Sequence, residues 1–333
     1  KYLFKKLMSI FSSKKNNPDK LENIAIIGNG GRENSLAWVI EKNPEIKNIY
    51  LIPGNGGSKQ INKCNVLDLD YKDRVTLIEK LKELDIDLVI IGPEDPISKG
   101  LGDTLRLNNF LVFGPNKDGA KLESSKSWAK KFMQNANIPT ANFWKINNFK
   151  EAKEIISSES RPLVVKADGL ASGKGVFIPE TKKETLKITK EILNGRFGEA
   201  GKIIVLEERI KGPEISVFAI CDGKKYILLP TAQDHKRLEE NDKGLNTGGM
   251  GAYAPTPLIS NKELLNIRKV IVEPTINELN RQNIDYRGVL YFGLMITEEG
   301  PKVIEYNCRF GDPECQTIMP LMNKNFVKLL QKC

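Results

Sequence analysis

The stretch "VVKADGLASGKG", residues 164–175, decides how the chain is read. An apolar strand runs into Lys166, and a glycine-rich loop carrying Lys174 follows. Backbone N–H groups and two ammonium charges can converge there on the oxygens of a triphosphate. A Walker A loop would need four residues between its glycine and its Gly-Lys pair, then Ser or Thr for magnesium. Here Gly169 and Gly173 enclose three residues, and Gly175 follows Lys174. A nucleotide at this loop must be held by another architecture. A lysine that merely opens a solvated loop is the alternative the residues leave open.

Strands RPLVVKA, GVFIPE, KIIVLEER and EISVFAI surround this loop, with one helical stretch, TKKETLKITKEILNG, among them. Glycine loops between the strands predict an antiparallel sheet. Upstream, ENIAIIG, NIYLI, DIDLVIIG and FLVFG alternate with helical patterns from about residue 22 to 115, the βαβ rhythm of a doubly wound parallel sheet. Its first turn holds Gly28, Gly30 and Gly31, where N–H groups and a helix dipole favour an anion. A dinucleotide fingerprint would want glycine at position 33 and an acid closing the second strand. Glu33 and NIYLIPGNGG stand there instead, which disfavours NAD and leaves a single phosphate or a plain packing turn. Downstream come YILLP, a long amphipathic helix near 261–283, and the hairpin RGVLYFGLMITEEGPKVIEYNCRFG with its turn at EEGP.

The hairpin's second strand carries the sharpest metal signal. In KVIEYNCRFGDPE, Glu305 and Asn307 alternate and so share one face, with Arg309 continuing it. Two oxygen donors there suit a hard cation bound against phosphate, and Arg309 suits a transferring phosphoryl group. An exposed edge strand is the alternative. In IIVLEERIKGPE, Glu207 can accept from an adenine amine and Glu214 from ribose hydroxyls, unless both are solvated strand ends. His235 in TAQDHKR is the only histidine, which excludes a zinc site built on several imidazoles; no GxSxG elbow accompanies it. NTGGMGAY, residues 246–253, fits a mobile flap.

Bulk properties bound the class. The 333 residues, 40% hydrophobic and 28% charged, suffice for two or three domains. Five cysteines without a CxxC pair point to a reducing compartment, with the cytoplasm expected. No apolar run approaches a membrane span of about 18 to 20 residues. Of the net charge of +9, residues 1–20 account for five through six lysines and one aspartate, so the excess is largely a basic tail. That concentration, with no RRM-like or zinc-knuckle pattern, argues against a nucleic-acid partner.

In series, GNGGREN, PGNGG, IGPEDP, FGPNKDGAKLESSKSWAKKFM, VVKADGLASGKGV, TAQDHKR, NTGGMGAYAP, YRGVLYFGLMIT and EYNCRFGDPECQ resemble the phosphoribosylamine–glycine ligase family, ATP-grasp ligases of de novo purine synthesis, over about residues 22 to 333. The resemblance implies an α/β protein: a doubly wound parallel-sheet N-terminal domain followed by an ATP-grasp fold, in which two α+β subdomains clamp ATP. The expected boundaries are a basic tail at 1–21, the N-terminal domain at 22–124, the larger subdomain at 125–143 and 215–333, and a lid at 144–214. The family normally continues into a C-terminal domain that the sequence does not include, which leaves activity of this chain an open expectation.

The resemblance further implies that Lys126 and Lys166 contact phosphates, Glu207 and the Ile210 backbone the adenine, and Glu214 the ribose. Arg237 and Asn246 complete the ATP side, and Glu305 and Asn307 bind magnesium or manganese. Arg309 and Lys174 are the expected catalytic cations. Gly30, Gly31, Arg32, Glu33 and Glu94 are the candidate phosphoribosylamine pocket, and Asp234 a holder of glycine's ammonium. The implied reaction joins glycine to 5-phosphoribosylamine through a glycyl phosphate, with small-molecule partners, neither nucleic acid nor membrane, and a monomer or weak oligomer. Asn34 stands where the family usually has histidine, and EERIKGPE where the hinge is commonly EEFL-x-GEE. Another ATP-grasp carboxylate–amine ligase, or a nucleotide-binding protein without full activity, are the competing readings.

Overall fold

A computed structural model describes residues 20–171, 173–240 and 243–333, with backbone alone at Arg237 and 243–246. The basic tail, but for its last two residues, lies outside the described residues. Among them, no helix is long and apolar enough to cross a membrane.

The first unit is a five-stranded parallel sheet in the order β3-β2-β1-β4-β5, built from β1 (Asn23–Gly28), β2 (Asn48–Pro53), β3 (Cys64–Val66), β4 (Leu88–Ile91) and β5 (Leu111–Phe113). Its central strands read as unbroken apolar runs because both faces are covered. Ile24 and Ile26 enter one core, and Ala25 and Ile27 the core on the opposite side. Strand order reverses between β1 and β4, so their carboxyl ends open a crevice. The turn after β1, residues 28–33, and the Gly92–Glu94 turn after β4 both border it.

The glycine loop belongs to a separate antiparallel sheet, ordered β6-β9-β7-β8: β6 (Phe143–Ile146), β7 (Val164–Ala167), β8 (Val176–Phe177) and β9 (Ile204–Glu207). This corrects the sequence reading in three respects. β6 adds an unforeseen strand. A second helix, Phe149–Ser158, capped by Asn148, packs beside Lys182–Glu191. EISVFAI belongs elsewhere. This unit has its own core of Ile146, Ile156, Val165, Ile192, Ile204 and Leu206.

The third sheet, β11-β10-β16-β17, contains β10 (Glu214–Asp222), β11 (Tyr226–Leu228), β16 (Arg287–Thr297) and β17 (Gly300–Asn307), all antiparallel. Alternation along β10 sends Val217, Ala219 and Cys221 toward helices Lys126–Asn135 and 261–281, while Phe218 and Ile220 join the core shared with the parallel sheet. A common core thus continues from the parallel sheet into the third. The 261–281 helical run contains one wide turn at Arg268–Val272. Two short ladders complete the fold: β12 (Gln233–Asp234) with β15 (Ala252–Tyr253), and β13 (Arg237–Glu239) with β14 (Lys243–Asn246).

Candidate active site

Lys166 ends β7 on the glycine-loop sheet, yet its ammonium donates to the carbonyl of Ile304 on β17 at 3.0 Å. One side chain therefore spans the two antiparallel sheets, beside Glu305. Along β17, Tyr306 and Cys308 are buried in the helix-facing core, which turns Glu305 and Asn307 to the other side. Glu305 lies opposite Gly293, where a Cβ would stand 2.9 Å from the glutamate Cγ. Glycine leaves the space the carboxylate's stem occupies. Burial would raise the Glu305 carboxyl, but Lys236, Lys166, Lys126 and Arg309 outweigh it and hold the group below its ordinary range. The Lys236 ammonium lies 3.4 Å from this carboxylate.

The same cleft buries Glu207. Its two oxygens each meet an ammonium at 2.9 Å, Lys166 on one and Lys130 on the other. Burial pushes the Lys130 amine down to about 8 against the pull of Glu207. On Glu207 burial acts upward, yet the two lysines prevail and lower it. Both oxygens of the carboxylate proposed for the adenine amine thus face cations. Burial likewise lowers Lys126, whose ammonium donates to the Gly169 carbonyl at 3.2 Å. Asp168 ties that loop to the helix start, accepting from Ser125 Oγ at 2.9 Å and from the Ser127 N–H at 2.5 Å. Gly173 at the loop tip has φ +73°, which glycine adopts without strain. Lys174 is exposed and the structure does not bring it to the cluster.

On the remaining ATP side, Glu214 is exposed at the start of β10 and Ile210 is half-buried in the connection from β9. That connection is pinned where the Ile296 N–H donates to Pro213 O. Arg237 and Asn246 pair across β13 and β14, but their side chains lie outside what is described.

At the crevice of the parallel sheet, Gly30 and Gly31 begin the helix Gly31–Ile40. Glu33 is 1% exposed, and its carboxylate accepts from the Gly30 N–H at 2.7 Å and from Arg32 Nε at 2.6 Å. The carboxylate caps the helix start and fixes Arg32. Arg32 Nη1 also reaches the Phe310 carbonyl at 3.2 Å. Asn34, in the position usually held by histidine, accepts from Ser58 Oγ at 2.6 Å and so joins the turn to the PGNGG loop.

Arg309 lies just past the end of β17 and connects this crevice to the lysine cleft. It pairs with Glu94 at 3.3 Å and with Glu123 at 3.0 Å. Burial works against its charge, but Glu123 and Glu94 outweigh that and raise it. Among the described residues, the buried Oδ1 of Asp234 on β12 has no hydrogen-bond partner, and burial, then Glu314, pushes its carboxyl up to about 7. A Cβ on Gly249 would stand 3.2 Å from that oxygen. Glu314 is itself buried, accepting from Ser216 Oγ at 2.9 Å.

Lys130, Glu123 and Glu314 are polar side chains of the site that sequence reasoning did not single out. Among the described residues, no cluster of three or more His, Cys, Asp or Glu could hold a metal by itself. The donor set of Glu305 and Asn307 fits a divalent ion only when phosphate oxygens complete its shell.

Comparison with known proteins bears on this arrangement. Residues 22–123 match the model of the phosphoribosylglycinamide synthetase N domain, and residues 124–315 that of its ATP-grasp (A) domain. The chain is 44% identical to a phosphoribosylamine–glycine ligase of Nostoc over 93% of its own length and 73% of that protein's. It is 45% identical to the trifunctional purine biosynthetic protein adenosine-3 of Drosophila melanogaster, covering 93% of this chain but 23% of that protein. The first relatives it matches are such trifunctional proteins, of whose length it spans about a quarter. A solved phosphoribosylamine–glycine ligase from Thermotoga maritima superposes with TM-score 0.80 at 34% identity, over 92% of this chain and 74% of that one.

Proposed function

The chain belongs to the phosphoribosylglycinamide synthetase family and has its parallel-sheet and ATP-grasp fold, and from that premise we propose that it joins glycine to 5-phosphoribosylamine with cleavage of ATP to ADP and phosphate. The observation that carries the reading is the convergence of Lys126, Lys166, Lys236 and Arg309 on Glu305, with Lys166 bridging the two sheets. These ammonium and guanidinium groups can exchange protein partners for the oxygens of a triphosphate.

A glycine carboxylate oxygen attacks the γ-phosphorus and ADP leaves, giving glycyl phosphate. The sugar amine then attacks the acyl carbon, inorganic phosphate leaves with the electron pair of the C–O bond, and the amine gives up a proton. Lys126 and Lys166 spread phosphate charge, and Arg309 faces the acyl phosphate. Glu207 holds Lys130 and Lys166 in place, and the connection through Ile210 borders the adenine, with Glu214 toward the ribose. Glu305 and Asn307 would hold magnesium or manganese, which supplies charge neutralisation at the phosphates when bound. The Gly30–Arg32 turn and Glu94 border the phosphoribosylamine pocket. Catalysis is positioning plus electrostatics, without a protein nucleophile.

Asp234 holds glycine's ammonium in this scheme, since its unpartnered oxygen needs a cation. A carboxyl near 7 must lose its proton to do so. Between pH 6 and 8 the ionised fraction of such a group rises about tenfold, so KM for glycine should fall by a similar factor as pH rises. Asp234→Asn should raise KM and flatten that profile; a slope retained in the variant assigns the titration elsewhere.

The proposal is tested by ADP release from the purified chain. Release should require both glycine and phosphoribosylamine and yield glycinamide ribonucleotide. Magnesium–ATP binding without dependent turnover would indicate a nucleotide-binding protein. Turnover with another amine or carboxylate would indicate a different ligase.

A further inference from the structure

We infer that Glu123 is a positioning residue that sets Arg309 for its anion, an inference resting on the ligase reading above. Glu123 lies in the short helix Lys121–Ser124, away from the proposed ligand contacts, and it is buried. Its two oxygens do different work. Oε2 accepts the Cys308 N–H at 2.7 Å and so fixes the backbone directly after Asn307. Oε1 meets the Arg309 guanidinium at 3.0 Å. One carboxylate thus holds both the main chain and the side chain of the segment that leaves β17.

The surroundings strengthen the grip. Cys308 Sγ donates to Gly119 O at 3.4 Å, a second tie between the same two segments. Glu94 takes Arg309 Nε at 3.3 Å from another direction, and Arg309 Nη1 donates to the Phe310 carbonyl at 3.2 Å. A guanidinium is a planar fork, so partners on several of its nitrogens fix its plane as well as its place. Glu94 is half-exposed whereas Glu123 is buried, so an arriving anion can displace the first more readily than the second. Glu123 remains the fixed support and Glu94 the exchangeable partner.

Glu123→Gln separates the two tasks. The amide oxygen can still accept from Cys308, preserving the backbone, while the amide NH2 faces the guanidinium and no longer attracts it. Thermal unfolding should stay cooperative, with a midpoint lowered by the loss of a buried ion pair, kcat should fall about tenfold or more, and KM for ATP should stay within about twofold. In an Arg309→Ala background the same substitution should change kcat by less than about twofold, because its route is already removed.

A kcat near the parent value, or an equal loss in both backgrounds, would overturn the inference. A crystal structure of Glu123→Gln gives a readout independent of turnover: residues 305–308 should superpose on the parent while the Arg309 guanidinium shifts. If the parent chain showed no glycine-dependent ADP release, the ligase reading would fail, and this structure would still decide the positioning. Arg309 unmoved in it would refute the role.

Discussion

Glu305→Gln is expected to lower kcat by about two to three orders of magnitude, the range seen when a key electrostatic group is removed from a transition state. The substitution conserves shape and one acceptor oxygen, and Gly293 opposite still leaves room for the stem. What it removes is charge. Lys236, Lys166, Lys126 and Arg309 would then lose the one carboxylate they have in common. The cations would spread, so the loss falls on positioning as well as on metal affinity. Raising the magnesium concentration should recover part of the rate, because mass action compensates a weakened ligand but not displaced lysines. Circular dichroism and thermal unfolding report whether the fold survives. Near-parental kcat with intact folding would remove Glu305 from the metal site.

How much of this was legible depends on whether the relevant partners were local. The central strands β1 and β4 announce themselves because IAII and LVII are buried on both faces. The strands that escaped, Cys64–Val66 and Phe143–Ile146, are three and four residues long and lie at sheet edges, where only one neighbour constrains them. Their side chains are mostly half-exposed, so no apolar run marks them. Phe149–Ser158 did leave a signal: Asn148 accepts the Glu151 N–H as a cap, and apolar residues recur at 149, 152, 155 and 156. The strand pattern alone grouped EISVFAI with the glycine-loop sheet, and only the family resemblance set 215–333 apart, since its register with Arg287–Thr297 is a long-range fact.

The site divides in the same way. Alternation along VIEYN was enough to put Glu305 and Asn307 on one face, because period two is a property of the strand alone. Nothing local reveals that Lys130 and Lys166 share Glu207, or that Glu123 holds Arg309, because those partners come together only when distant segments pack. Glu33 shows the local case: a glutamate at the third helical position can fold back on the N-terminal N–H groups, and it does so.

That fold-back explains why the crevice between β1 and β4 is floored by glycine, and it makes Gly92→Ala the most damaging conservative change in the parallel-sheet unit. A Cβ at position 92 would stand 1.9 Å from Glu33 Oε1 and 2.6 Å from its Cδ, and a Cβ at Gly28 on the neighbouring strand would likewise stand 2.6 Å from that Cδ, so both strands leave this space to the glutamate. The carboxylate must leave, and with it go the acceptor of the Gly30 N–H and the partner of buried Arg32. Overpacking and a stranded buried cation each cost about 1–3 kcal/mol, so urea unfolding should show a loss of about 2–5 kcal/mol. Glu33→Ala supplies the control, since it empties the space the methyl needs. In that background Gly92→Ala should cost under about 1 kcal/mol, and the coupling between the two substitutions should be large. Additive losses would mean that the glycine serves some purpose other than making room for Glu33.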